Sequence, residues 1–145
     1  MQVMHILRQK GREVVSLSSE ASLSEAARLL AHKRIGALVI KDNGGGLAGM
    51  LSERDVVRAL AAESVRALAR PVSAYMTRAV ATCAEQDTVE ELMEMMTQGR
   101  FRHVPVVDAR DQIIGLVSIG DVVKMQIEET TREAASLREY IAAAG

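Results

Sequence analysis

Residues 49–58 read GMLSERDVVR and residues 115–124 read GLVSIGDVVK. Gly, two apolar residues, Ser, two variable residues, Asp and Val-Val occur twice with one internal spacing, and Gly49/Gly115, Ser52/Ser118 and Asp55/Asp121 are each 66 residues apart. A repeat of this kind decides the fold question first, because a duplicated unit must bury its apolar face against its neighbour. Laying residues 12–60 over 78–126 at the same offset adds identities at Arg12/Arg78, Val14/Val80, Glu25/Glu91, Arg34/Arg100 and Asp42/Asp108. Apolar positions match in kind as well: Leu23/Val89, Leu30/Met96, Leu38/Val104, Ile40/Val106, Leu47/Ile113 and Leu51/Val117. One pattern of burial is written twice, without a gap.

Each copy reads as strand, helix, strand, strand, helix. Val14–Ser16 and Val80–Thr82 are expected as short first strands. Ser22-x-x-Glu25 and Thr88-x-x-Glu91 are capping-box sequences, which predict helices over 22–33 and 88–99. Two apolar runs follow in each copy, 37–40 with 50–51 and 103–107 with 113–117, separated by the turn-forming stretches DNGGG (42–46) and DARD (108–111). A closing helix starts near Ser52 and near Ser118. The fold class is therefore α/β, with 1–70 as the first repeat, 71–126 as the second and 127–145 as a helical extension. Residues 62–77 form the link, where Pro71 opens a short helix. Units of about fifty residues hide too little surface to stand alone, so the copies are expected to pack as a pseudo-two-fold pair with related clefts between them.

Composition removes several classes of function. Eighteen basic and nineteen acidic side chains leave a formal charge of −1, which supplies no field for a polyanion such as nucleic acid. One Phe, two Tyr and no Trp leave little for base stacking and imply an aliphatic core. No apolar run approaches the roughly 20 residues of a membrane span, and the N-terminus has no signal-peptide pattern; the expectation is a cytoplasmic protein. Cys83 is the one cysteine, so no disulfide or cysteine-based metal site is expected, and it reads as a core residue. His5, His32 and His103 form no metal motif, and no phosphate loop or nucleophile constellation occurs; no catalytic site and no catalytic cofactor are expected.

The repeated Ser and Asp carry the candidate chemistry. A Ser where a strand gives way to a helix offers a hydroxyl beside free amides, suited to phosphate. Asp55 and Asp121, three residues on, can accept from a pair of ribose hydroxyls. The same residues also make an ordinary helix cap. The copies differ between Ser and Asp: Arg54 can reach phosphate, whereas Gly120 cannot, so the second site would recruit Arg102 or His103, with Arg100 nearby. Pro105 cannot donate to a sheet ladder and marks an edge or an irregularity where backbone groups are free to meet a ligand.

These motifs, with RHVPVVD at 102–108, resemble those of tandem cystathionine-β-synthase (CBS) domains, also called a Bateman module, over residues 3–126. The resemblance implies two modules paired into a disc and an adenine nucleotide ligand, AMP, ATP or NAD(H), with S-adenosylmethionine in other members. It also implies a regulatory module with no attached effector domain, acting on a separate protein. Carried over by the resemblance, the binding set comprises Ser52, Arg54, Asp55, Ser118, Asp121, Arg102, His103, Val104 and Pro105, with Gly36 and Ala37. Ser16 and Thr82 on the first strands complete it. The alternative is a ligand-free, dimerising scaffold acting through its last helix, whose Val123, Ile127, Thr130, Ala134, Leu137 and Ile141 are spaced 4, 3, 4, 3, 4 as a seam for another helix.

Overall fold

The computed structural model describes residues 1–144. Helix α1 (Val3–Lys10) leads into strand β1 (Ser16–Ser18), helix α2 (Leu23–Lys33), strands β2 (Ala37–Lys41) and β3 (Leu47–Ser52), and helix α3 (Glu53–Glu63). Two short 3-10 turns, Ser64–Ala69 and Val72–Ala74, make the link. Helix α4 (Val89–Gly99), strands β4 (His103–Val107) and β5 (Ile113–Ser118) and helix α5 (Ile119–Ala144) repeat the series.

Local chemistry places these elements as the sequence implies. Ser22 and Thr88 cap α2 and α4 by accepting from the Glu25 and Glu91 amides, and in α4 the Glu91 carboxylate also takes the Thr88 amide. Both hairpins turn on an aspartate: Asp42 Oδ1 accepts from the Gly44 and Gly46 amides, and Asp108 Oδ1 from those of Arg110 and Gln112. Strand alternation then sends alternate side chains to opposite faces. In β2, Leu38 and Ile40 face the helices of the first copy, while Ala37 and Val39 face the second copy. The inward face meets Val80, Ile113 and Leu116, so the two sheets pack against each other through an aliphatic layer.

The segment ahead of each copy crosses to the other copy. Val3, Ile6 and Leu7 of α1 lie in the second core with Cys83, Val89, Leu92, Val104 and Met125, whereas Val72 and Met76 lie in the first core with Leu23, Leu38 and Leu51. The contacts correspond closely: the Val3 amide donates to Asp87 O at 2.9 Å and the Val72 amide to Ala21 O at 2.8 Å. The partition at residue 70 is therefore a division of sequence, and each core takes its lead-in from the other side of it. Fully burying side chains of this size is worth about 1.5–3 kcal/mol each, so the exchange ties the copies together.

The two glycines shared by the repeats, Gly49 and Gly115, serve this exchange. A Cβ at Gly49 would lie 2.6 Å from the Thr77 carbonyl oxygen, and one at Gly115 would lie 2.6 Å from Leu7 Cδ2. Both positions are bare because a lead-in segment crosses there.

The first strands also depart from expectation. β1 pairs parallel to β2 and completes a three-stranded sheet, but Val80–Thr82 forms no strand, and Cys83 makes only an isolated bridge to Val106 beside the two-stranded β4–β5 sheet. Pro105 accounts for the pairing lost at Thr82. The Val39 amide donates to Val15 O at 3.2 Å in the first copy; its counterpart, Pro105, has no amide to give to Ala81.

Candidate functional site

Where the copies meet, a cleft of about 700 Å³ opens beside the start of α3. Four pieces of chain line it: Gly36 and Ala37 entering β2; Ser52, Glu53, Arg54, Asp55 and Arg58 at the top of α3; Thr77 and Ala79–Ala81 from the link; and Arg100–His103 ahead of β4. Of the residues expected from sequence, it gathers Ser52, Arg54, Asp55, Arg102, His103, Gly36 and Ala37. Val57 and Met50 supply apolar wall.

The geometry at Ser52 is a closed cap. Asp55 Oδ2 accepts from the Ser52 amide at 2.8 Å and from Ser52 Oγ at 3.1 Å, while the Asp55 amide donates back to Ser52 Oγ at 3.2 Å. The Glu53 amide is taken by Gly36 O at 3.0 Å. Most of the first-turn donors expected to meet a phosphate are thus satisfied by the chain itself. What remains for a ligand is the Arg54 amide, the second oxygen of Asp55, and the cations around the cleft.

Those cations dominate its electrostatics. Arg54 and Arg58, four residues apart on one face of α3, stand across from Arg100 and Arg102, and none of the four is ion-paired among the described residues. Two carboxylates, Glu53 and Asp55, oppose them. Arg100 ends α4 in the left-handed region, at φ 56°, and turns the chain so that Phe101 and Arg102 follow it along the cleft. His103 is half-buried; desolvation first, then the positive charge of Lys10, hold its pKa below the usual imidazole value, so it stands neutral against the cleft wall.

The second Ser-x-x-Asp has the same cap and a different occupant. Asp121 Oδ2 accepts from the Ser118 amide at 2.8 Å and Ser118 Oγ at 3.0 Å, and also from Lys10 Nζ at 2.7 Å. Lys10 further donates to Leu116 O at 2.8 Å. Burial alone would raise the Asp121 pKa, but the hydrogen bonds from Lys10 and Ser118 outweigh it and hold the carboxyl below its usual range. Gly120 leaves no counterpart of Arg54, so the cation at this site comes from α1.

The remaining expected residues are not in the cleft. Ser118 and Asp121 belong to the second copy's own corner, Val104 is fully buried in the second core, and Pro105 is buried in β4. Ser16 sits in β1 opposite Val39, and Thr82 precedes the Cys83 bridge. Pro105 does leave its mark at the site, because Ala81, whose carbonyl lacks the ladder donor, is a lining residue. Arg58, Thr77, Ala79–Ala81 and Phe101 were not among the expected set. Arg58 was legible as the i+4 neighbour of Arg54; the link residues were not, since only docking of the copies brings them in. Cys83 is buried, with its thiol pushed up to about 12 by desolvation and then by Asp87, and so is inert.

Two copies, strand-helix-strand-strand-helix in the first and helix-strand-strand-helix in the second, pack sheet to sheet with crossed lead-in segments and a cleft at the Ser-x-x-Asp helix start, which defines a tandem-repeat module. The CBS domain family matches residues 5–62 and 72–128. The chain belongs to the CBS domain family, as a tandem pair. A CBS-domain-containing protein from Agrobacterium tumefaciens is 43% identical in sequence, covers 86% of this chain and 92% of its own, and superposes with a TM-score of 0.83. A CBS-domain pair solved with 5′-methylthioadenosine and S-adenosyl-L-methionine is 28% identical over 89% of this chain and 98% of its own, with a TM-score of 0.79. A CBS domain protein from Pyrobaculum aerophilum, complexed with AMP, is 29% identical over 83% of this chain and 89% of its own, with a TM-score of 0.75. No helix among the described residues is long and apolar enough to cross a membrane, and no cluster of metal-ligating side chains occurs among them.

Proposed function

We propose that this chain is a regulatory module, not an enzyme, that binds an adenine nucleotide (AMP, ATP or NAD(H)) in the cleft beside α3. In this reading it acts as a cytoplasmic homodimer, and occupancy alters its interaction with a separate effector protein. The observation that carries the reading is the pairing, in one cleft, of an aspartate with a free carboxylate oxygen and four unpaired guanidinium groups. Asp55 suits the ribose hydroxyls and the arginines suit phosphate. Relatives of the same fold, solved with AMP and with S-adenosyl-L-methionine, support the adenosine part of the assignment.

Calorimetry on nucleotide-free protein with AMP, ATP, NADH and S-adenosylmethionine tests it. Binding at millimolar or better by at least one is expected, and Asp55→Ala should weaken it about tenfold or more, since it removes a charge-assisted hydrogen-bond acceptor. Asp121→Ala should leave the affinity of this cleft within about twofold. Absence of binding by all four ligands would overturn the assignment. It would favour the ligand-free scaffold, for which the exposed seam of α5 is the supporting observation.

A further inference from the structure

Helix α5 begins in the second core and then leaves the body of the molecule. Val122 and Met125 are buried, whereas every residue from 130 to 144 is exposed. A helical segment of that length without tertiary contacts lies where isolated helices are marginal in water. Its sequence is nevertheless organised. From Val123 onward the large exposed aliphatic residues form one stripe, with Val123 48% exposed, Leu137 59% and Ile141 61%, and with Ile127, Thr130 and Ala134 between them; Tyr140 flanks it at g. Their 4, 3, 4, 3, 4 spacing is the alternation of d and a positions in a heptad repeat. Ile127 and Ile141 then fall at a and Leu137 at d, with Val123 and Thr130 at the other d positions; Ile at a with Leu at d is the combination that, in parallel coils, favours two strands.

The charges beside the stripe choose the partner and the direction. Glu133 falls at g and Arg138 at e of the following heptad. In a parallel pair, g of one helix lies beside that e of the other, so Glu133 faces the partner's Arg138 and Arg138 faces the partner's Glu133. In an antiparallel pair like positions meet, g with g and e with e, and neither charge finds its opposite. Two residues thus supply two reciprocal ion pairs when the partner is a second copy.

We propose that residues 123–141 form a parallel, two-stranded coiled coil with a second copy of this chain. The inference rests on the homodimer of the proposed function and specifies its face and direction. It is independent of which ligand the cleft takes.

Sedimentation equilibrium on the full chain, with oxidative cross-linking, tests it. Glu133→Lys sets like charges beside Arg138 at both reciprocal positions and should raise the dimer dissociation constant about tenfold. The double variant E133K/R138E should restore it. Leu137→Cys should give a disulfide-linked dimer on mild oxidation, because a parallel pair places both 137 positions in one layer; buried Cys83 does not compete. A dimer indifferent to both charge variants, or one in which the thiols introduced at 137 do not link, overturns the coiled coil and leaves the homodimer standing. A chain that stays monomeric at all concentrations overturns both.

Discussion

The two copies of Gly-x-x-Ser-x-x-Asp carry the same cap to within about 0.1 Å in each of its hydrogen bonds, yet their surroundings diverge. Around Asp55 the added cations are arginines with no partner; around Asp121 the added cation is Lys10, already bonded to the carboxylate. Duplication preserved the part that starts a helix. The difference arose in positions that helix formation ignores, the residue before the Asp and the segment that crosses from the other copy. A shared motif is therefore evidence for shared structure, and function has to be read from what the fold brings to it.

The largest expected effect breaks the comparison at its base, in the exchanged lead-in segments. Leu7→Ala empties a fully buried position in the second core, and losses of about 2–5 kcal/mol are typical of such truncations. Chemical denaturation should show that loss in the whole molecule, as one transition, because each core contains a piece led in from beyond the other. A separate early transition of residues 80–125 would show that α1 is dispensable to the coupling.

A smaller and more discriminating pair is Gly49→Ala against Gly115→Ala. Both new methyl groups meet an atom at 2.6 Å, but at Gly49 that atom is the Thr77 backbone oxygen, and at Gly115 it is the end of the Leu7 side chain. Backbone held on both sides by the Met50–Thr77 bridge yields less than a leucine rotamer does. Overpacking costs typically run about 1–3 kcal/mol; Gly49→Ala should sit at the upper end and Gly115→Ala at the lower. Equal costs would mean that the two crossings are equally rigid.

The cleft predicts a dependence on pH. The folded state holds His103 neutral by lowering its pKa, so its contribution to stability is complete above the ordinary imidazole value of 6.5 and is lost as pH falls through the depressed folded value. Thermal melts from pH 7.5 to 5 should fall, and His103→Gln should flatten that slope. Phosphate in the cleft would favour the protonated ring, so saturating nucleotide should reduce the slope too. A histidine without influence on the slope would mean that it titrates as a free surface group.

Much of this architecture was legible because duplication doubles every signal: the caps at Ser22 and Thr88, the aspartate turns at 42 and 108, and the apolar pairs of the strands all appear at one offset. The crossing segments were not. Val3 corresponds in space to Val72, an offset of 69 rather than 66, and one lies in an α-helix while the other begins a 3-10 turn, so no identity marks the relation. Lys10 and Asp121 are far apart in the chain, and nothing local in either announces the other. The link residues of the cleft, Thr77 and Ala79–Ala81, are small and uncharged, and they matter through position alone.

Pro105 supplies the smallest effect and the sharpest question about the asymmetry. In the first copy the amide of Val39 closes the ladder to β1; in the second, proline leaves the Ala81 carbonyl without that donor, at the cleft wall. Pro105→Val restores the first copy's residue type. It gains one ladder hydrogen bond, about 0.5–1.5 kcal/mol, and gives up proline's restriction of the unfolded chain, about 0.4–1 kcal/mol, so net stability should change by less than about 1 kcal/mol. The readout is hydrogen exchange: the new amide at 105 should become protected, and Thr82 should pair with residue 105 beside the Cys83–Val106 bridge, extending that bridge into a short third strand. Nucleotide affinity should then fall, because the Ala81 carbonyl would be committed to the chain. An unprotected amide at 105 would show that the lead into Cys83 is held off the sheet by something other than the missing donor.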